Sequence, residues 1–388
     1  MSSFPASVPI CVDGRMLVSG ATGVSGYAAA LVAATRRIGG RPMLLEDRDE
    51  GRLRRWRAAL GAADRFVTSV DGGSRLVGDH LFRAAQVRFG LCRQFMTVRS
   101  DTPPGIMHWT YPVPLRMAGW INLYTVHDVV PLERPDLSPV DPRRLRAILS
   151  RIAVTGDRIV TVSEASRDRI VTLLEVDPRR VVNCYQAVGG DAEPEGHDGP
   201  LPAGLTAGRY FLFCGLTEAR KNIVRLIAAH ALSGSVYPLV ITGPPTADRR
   251  IARAIDAAVA AGRVRRLDYL PTAKLAALQA QACALLFPSL GEGFGLPVVE
   301  AMRAGTPVLT SYRGALAEIA GDAAWLVDPE DVAAIAAGIA RLAGDGDLRR
   351  RLSDRGRRRA GRFTAARFAA RLRAVYSDAL VARGLSGE

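Results

Sequence analysis

Short apolar runs alternate along this chain with segments carrying an apolar residue every three or four positions, the mark of buried strands between amphipathic helices. Residues 9–12, 41–45, 121–126 and 158–162 read as strands, and 24–38 and 142–155 as helices. Between 189 and 208 the pattern stops: GGDAEPEGHDGPLPAGLTAG is rich in glycine, proline and acid and reads as a linker. Beyond it, 210–214, 239–242, 264–267, 284–287, 308–310 and 324–327 read as strands, again separated by helices. Strand–helix alternation on both sides of a linker predicts an α/β protein of two doubly wound domains with mainly parallel sheets. Ligands in such folds bind beyond the carboxyl ends of the strands, here in the central cleft. The expected boundaries are 1–190 for the first domain, 191–208 for the linker, 209–363 for the second domain, and 364–388 for a terminal helix with the apolar stripe Phe368, Leu372, Val375, Leu380.

Composition narrows the class. A chain of 388 residues suits two domains, and 48% hydrophobic residues provide ample core. No apolar run reaches the roughly 18 residues needed to cross a bilayer. MSSFPASVPICVDGR lacks a basic start followed by an apolar stretch, and Cys11, Cys92, Cys184, Cys214 and Cys283 are scattered without paired spacing. We therefore expect reduced cysteines and a cytoplasmic location, peripheral on the inner membrane face. The net charge of +14 calls for an anionic partner. Neither zinc-ligand spacing nor an RRM-like aromatic motif is present, which argues against nucleic acid. Arg52, Arg54, Arg55 and Arg57 flank Trp56, a basic and aromatic cluster suited to an anionic membrane surface or to a solvated helix face. All but two of the 52 basic residues are arginine. A lysine at Lys221 in such a chain suggests a position needing a compact ammonium.

The densest chemistry lies in FPSLGEGFGLPVVEAMRAGTP, residues 287–307. Gly291, Gly293 and Gly295 alternate with Glu292 and Phe294, so the backbone can approach a ligand closely. Pro297 fits the first position of a helix, placing Glu292 on the loop and Glu300 about one turn into the helix. Helical side chains lean toward the N-terminus, so both carboxylates can face one space, which also receives free N–H groups and the positive end of the helix dipole. Acceptors for hydroxyls beside donors for phosphate suggest a ligand that is part sugar and part diphosphate.

With GFGLP between the glutamates and AGTPV after them, this run resembles the E-x7-E motif of family 4 glycosyltransferases, retaining enzymes of the GT-B fold with two Rossmann-like domains. The resemblance implies that Glu292 contacts hydroxyls of the transferred sugar and Glu300 the ribose. It implies that the backbone of Gly293, Phe294, Gly295 and Leu296 meets sugar and diphosphate. CGLTEARKN resembles the family's G-x-x-x-x-RKN segment, whose cations, here Arg220 and Lys221, bind the donor diphosphate. Leu216 stands where many members have arginine, which leaves Arg220 to supply the second charge. A basic pair at a helix start opposes the dipole, which also points to a ligand anion. YTVHDVVPLERP resembles the T-x-HD-x-x-P segment, which sets His127 beside the reacting sugar and Asp128 next to it. The family also implies a terminal helix that crosses back onto the first domain.

MLVSGATGVSGYAA, residues 16–29, offers a rival: the glycine fingerprint of extended short-chain dehydrogenases and sugar epimerases, with Asp47 at a ribose-binding distance. Those NAD(P)-dependent enzymes need Tyr-x-x-x-Lys, yet Thr217 and Leu270 stand four residues before the two lysines, and Tyr269 stands five before Lys274. With Asp13 and Arg15, the segment instead resembles the D-x-R…TG-x-G-x-Y opening of a subgroup of family 4, whose glycine loop, here Gly23 and Gly26, approaches donor diphosphate or acceptor. Aromatics within 107–116 either stack on acceptor sugar rings or pack. VSEAS resembles the family's V-S-x-x-S turn, with Ser163 as helix cap. VVNCYQAVG replaces the usual hinge motif, so the hinge transfers poorly. Asp47-Arg48-Asp49 is formally a D-x-D metal motif but reads as a helix-start acidic cluster, and no metal or other cofactor is required if Arg220 and Lys221 neutralise the diphosphate. The expectation is a retaining hexosyltransferase, mannose from GDP-mannose being the first choice, acting on a glycan or polyprenol-linked acceptor in surface polysaccharide synthesis. A catalytically inactive GT-B protein that binds nucleotide sugar is the other alternative.

Overall fold

The computed structural model describes residues 4–5, 8–18, 23–48, 64–189 and 199–384. The Arg52–Arg57 cluster, Asp49 and much of the expected linker lie outside the described residues.

The first ten strands form one sheet: β1 (Ile10–Asp13), β2 (Pro42–Arg48), β3 (Asp64–Val70), β4 (Arg75–Asp79), β5 (Met96–Ser100), β6 (Ile106–Trp109), β7 (Leu115–Met117), β8 (Ile121–Thr125), β9 (Arg158–Thr161) and β10 (Val181–Asn183). Their order is β10-β9-β8-β6-β1-β2-β4-β3-β5-β7, and every neighbouring pair is parallel except β3 and β4. β1, β6 and β8 are buried at every residue, as strands with both faces covered must be. The sheet is larger than the pattern suggested. β3, β4 and β5 carry polar residues such as Asp64, Arg75 and Arg99 among their apolar ones, so no continuous apolar run marks them.

The second sheet holds β11 (Phe211–Cys214), β12 (Leu239–Thr242), β13 (Val264–Leu267), β14 (Ala284–Phe287), β15 (Val308–Ser311) and β16 (Trp325–Val327), ordered β13-β12-β11-β14-β15-β16 and wholly parallel. The chain runs outward from β11 to β13 and then restarts at β14 on the other side of β11. Two adjacent strands whose connections leave in opposite directions open a crevice at their carboxyl ends. In this sheet that point lies between β11 and β14; in the first sheet it lies between β1 and β6.

Helix Ala365–Ala382 is capped by Thr364 and buries Phe368, Leu372, Val375 and Tyr376. It packs on helix Gly23–Arg37 of the first half, with Phe368 edge-on to Tyr27 at 5.8 Å. Tyr376 Oη lies 2.9 Å from His108 Nδ1, and Arg383 pairs with Asp157 at 2.8 Å. One apolar core, holding Ile10, Val12 and Tyr27 together with Phe213, Leu285 and Phe368, runs through both halves.

Candidate active site

The loops that follow β11 and β14 are tied together. After Cys214 the chain turns through Gly215 at φ 133°, makes a single 3-10 turn over Ala219–Lys221, and reaches Asn222 in the left-handed region at φ 62°. Asparagine tolerates that conformation better than most residues. From there its amide donates to the carbonyls of Pro288 at 3.0 Å and Pro329 at 2.5 Å. Leu290 N donates to the Arg220 carbonyl at 2.7 Å, closing one loop against the other.

This junction places Glu292 between two cations. Its Oε1 lies 2.6 Å from Lys221 Nζ and its Oε2 2.7 Å from Arg220 Nη1. Ser289 Oγ, 2.6 Å from the same Oε1 and 2.8 Å from the Arg220 carbonyl, has one proton to donate between them. The Glu292 side chain is only 7% exposed. Burial pushes its pKa up, but Lys221 and Arg220 together outweigh that and hold it below the usual range. Burial lowers Lys221, assisted by the neighbouring Arg220 and opposed by Glu292. Lys221 Nζ also sits 4.7 Å from the centre of the Phe287 ring, in a slot suited to a compact ammonium. Arg220 makes a second ion pair, with Glu218 at 2.9 Å.

Helix Leu296–Ala304 begins beside this cluster, with Gly295 at φ 103° before it and Pro297 at its second position. Glu300, half-buried one turn in, has no hydrogen bond or ion pair among the described residues, and burial alone raises its pKa. The two glutamates thus differ: Glu292 is neutralised and Glu300 is open.

The other half faces them across the crevice. Thr110 follows β6, and His127 and Asp128 follow β8. His127 Nε2 lies 2.9 Å from the Thr110 carbonyl, which can only accept, so Nε2 bears the proton. Tyr27 meets the imidazole edge-on at 4.9 Å. Burial pulls the His127 pKa down to about 4, so the ring is neutral at pH 7. Asp128 accepts from Val130 N at 3.0 Å; burial raises its pKa, and the field of Arg220 opposes the rise. The halves touch at Gly293: a Cβ there would stand 2.2 Å from the His127 carbonyl oxygen, so only glycine permits the approach. Ser163 Oγ donates to the Gly293 carbonyl at 2.7 Å while capping its own helix through Ser166 N at 3.0 Å. Ser166 Oγ lies 3.1 Å from the His127 carbonyl and 3.2 Å from that of Gly293. Glu318 reaches across to accept from Glu164 N and Ala165 N, at 2.9 and 2.8 Å, where its charge suits a helix N-terminus.

The structure therefore gathers Arg220, Lys221, Glu292, Gly293, His127 and Asp128 into one crevice, with Gly295 and Leu296 at the start of the adjoining helix and Glu300 one turn into it; the Phe294 ring turns into the core, edge-on to Phe363 at 5.3 Å. Gly23 opens its own helix nearby: a Cβ on it would lie 3.4 Å from Leu296, whereas one on Gly26 would meet nothing. Arg220, Lys221 and Glu292 are mutually paired, the two cations compensating the buried carboxylate. Asp47, expected at the start of a helix, instead lies within β2 and accepts from Leu81 N at 2.6 Å, at the start of a helix distant in sequence. Among the aromatics of 107–116, Trp109 is fully buried and stacked on Tyr124, which makes it core, while Tyr111 is half-buried and bonded to Arg15. Sequence reasoning missed Ser289, Thr110 and the tie made by Asn222, and met Ser166 only as the last serine of the V-S-x-x-S turn. Of the three missed, only the asparagine of the RKN triplet carried a local signal.

Residues 205–359 match the family model described as Glycosyl transferases group 1. The O-antigen chain mannosyltransferase B of Escherichia coli is 33% identical over 250 residues, 62% of this chain and 66% of that protein. The MMP alpha-(1->4)-mannosyltransferase of Mycolicibacterium hassiacum is 47% identical over 111 residues, 28% of this chain and 27% of that protein. The matched region thus spans from about a quarter to just under two thirds of these relatives' length. Among solved structures, sucrose-phosphate synthase from Thermosynechococcus elongatus superposes with TM-score 0.69 at 18% identity, covering 97% of this chain and all of that one. α,α-Trehalose 6-phosphate synthase from Burkholderia multivorans superposes with TM-score 0.66 at 14% identity, covering 98% and 99%. At such identities the likeness establishes the GT-B fold.

Proposed function

We propose, from the match of residues 205–359 to the family model described as Glycosyl transferases group 1, that this chain is a retaining glycosyltransferase that moves a hexose from a nucleotide-diphosphate sugar to a glycan or lipid-linked glycan. The observation that carries the proposal is the cluster of Arg220, Lys221 and Glu292 at the β11–β14 switch point, beside a helix N-terminus and opposite His127. Departure of a nucleoside diphosphate builds negative charge on the bridging oxygen. Fixed cations in a water-poor crevice stabilise that charge more in the transition state than in the ground state, which is the condition for acceleration. In this reading the diphosphate takes Arg220 and Lys221 from Glu292, and the released carboxylate then accepts from sugar hydroxyls. Glu300 holds the ribose, and the departing phosphate receives the acceptor's proton on the face it leaves. The two cations serve in place of a metal. Mannose from GDP-mannose is the first choice of donor, a choice supported by the names of the relatives. Contact with an anionic inner-membrane surface is proposed from the charge of +14.

A thermal-shift screen of GDP-, UDP-, dTDP- and CDP-sugars tests this. The expected result is stabilisation by one nucleotide series, GDP first, that Lys221→Ala abolishes. No shift with any nucleotide would defeat the proposal, and binding without transfer to any glycan would mark an inactive binding protein.

A further inference from the structure

We propose that Asp13 is a positioning residue that fixes the imidazole of His127 through Thr110, so that His127 presents a hydrogen-bond acceptor to the donor sugar. The inference rests on the site reading above, in which His127 faces that sugar.

The geometry is a relay between the two central strands of the first sheet. β1 and β6 run parallel with Val12 opposite His108, which brings Asp13, the last residue of β1, beside Thr110, the first residue after β6. Asp13 Oδ2 accepts from Thr110 N and, at 2.8 Å, from Thr110 Oγ1. With its N–H and its hydroxyl both held, Thr110 keeps little freedom beyond the direction of its carbonyl, and His127 Nε2 takes that carbonyl at 2.9 Å. The ring cannot swing away, because Tyr27 packs edge-on against it at 4.9 Å and is itself anchored by Thr125 Oγ1 at 2.9 Å. The ring is neutral at pH 7 and carries its proton on Nε2. Nδ1, which has no partner among the described residues, is therefore a lone-pair acceptor. A sugar hydroxyl is the donor class that such an atom reads.

Stability does not account for Asp13. Its other oxygen, Oδ1, is buried without a hydrogen-bond partner, and an orphaned buried acceptor is a net cost to folding. Burial also pushes its carboxyl up to about 6, the ionised form being disfavoured despite two hydrogen bonds and nearby Arg15. A residue that destabilises its own site while gripping the partner of a ring in the crevice has a positioning role as its physical explanation. Asp13 is also the aspartate of the D-x-R opening, which no other step of the reaction uses.

The test reads the ring directly. Long-range 1H–15N NMR distinguishes the two neutral tautomers, and the His127 signals are those lost in His127→Gln. In the wild type a single Nε2–H tautomer is expected. Asp13→Asn and Thr110→Val should mix the tautomers and lower kcat about tenfold, with the Kd for GDP changed less than twofold. Thr110→Ser, which keeps the hydroxyl, should restore both readouts. A pure Nε2–H tautomer in both Asp13→Asn and Thr110→Val overturns the proposal, whatever happens to kcat. Should one variant fail to fold, the other decides the matter. Full transfer by His127→Gln overturns instead the parent reading of the crevice, independently of the tautomer in the Asp13 variant.

Discussion

Replacing Glu292 by glutamine should tighten binding of a bare nucleoside diphosphate while slowing sugar transfer. Glu292 is the internal counter-ion of the two cations that the diphosphate needs, at 2.6 Å from Lys221 and 2.7 Å from Arg220. At an effective dielectric of about 20, unit charges some 4 Å apart attract by about 4 kcal/mol. Removing one member of a buried pair costs roughly 3–5 kcal/mol, because the remaining charge stays desolvated. Glutamine keeps the shape and one acceptor but not the charge, so the ligand-free variant is left with uncompensated cations. A diphosphate that recovers only about 1–2 kcal/mol of this gains roughly five- to thirtyfold in affinity. Transfer moves the other way: a lost charge-assisted hydrogen bond to the sugar removes roughly 1.5–3 kcal/mol, about 10- to 100-fold in kcat. Isothermal titration of GDP and UDP against wild type, Glu292→Gln and Lys221→Ala reads the first effect, and donor turnover reads the second. Lys221→Ala should weaken the diphosphate. If Glu292→Gln binds it no more tightly than wild type, the carboxylate does not compete with phosphate and the exchange is refuted.

Three further outcomes follow from single distances or charges. Gly293→Ala would push a Cβ to 2.2 Å from the His127 carbonyl, which as backbone cannot yield; overpacking of this kind costs about 1–3 kcal/mol, so the melting temperature should fall and kcat should drop more than GDP affinity. Unchanged melting would show that the two halves do not meet there. Lys221→Arg should lose at least about tenfold in transfer, because a planar guanidinium does not replace the compact ammonium set 4.7 Å from the Phe287 ring; wild-type turnover would return Lys221 to a generic cation. Burial holds Asp13 protonated up to about 6 rather than 3.8, so its contribution to stability is full below pH 3.8 and is lost as pH rises through 6, by roughly 3 kcal/mol. Asp13→Asn cannot ionise, so its melting temperature relative to wild type should rise between pH 4 and 8, and parallel curves would remove Asp13 from the account.

Much of this fold was legible because buried parallel strands are short and mostly apolar: β12 and β14 lie where the pattern put them, and so does β13, although Arg265 and Arg266 interrupt it. Helix Pro142–Thr155 was equally plain, with Asp141 capping it and proline in its first turn. The strands β3, β4, β5, β7 and β10 escaped, since mixed polar positions and three-residue lengths leave no periodicity to read; β6 escaped although it is wholly buried, being only four residues with a histidine among them. The motif residues of the crevice were visible because glycines, prolines and charges recur there at fixed spacing. Their mutual state was not. That Glu292 is clamped by Arg220 and Lys221 depends on two loops 70 residues apart being tied by Asn222 and Leu290. Likewise, Thr110 and Ser289 are ordinary hydroxyl residues whose importance comes only from which carbonyl or carboxylate they meet.

The central claim, that the crevice transfers a sugar with retention, is tested most directly by the anomeric configuration of a product. The protein is incubated with GDP-α-mannose, or with whichever nucleotide α-sugar stabilises it, and a mannosyl acceptor, and the new linkage is read by NMR. The account predicts an α-glycosidic bond, formed by wild type and at least about tenfold more slowly by Glu292→Gln. A β-linked product would contradict it.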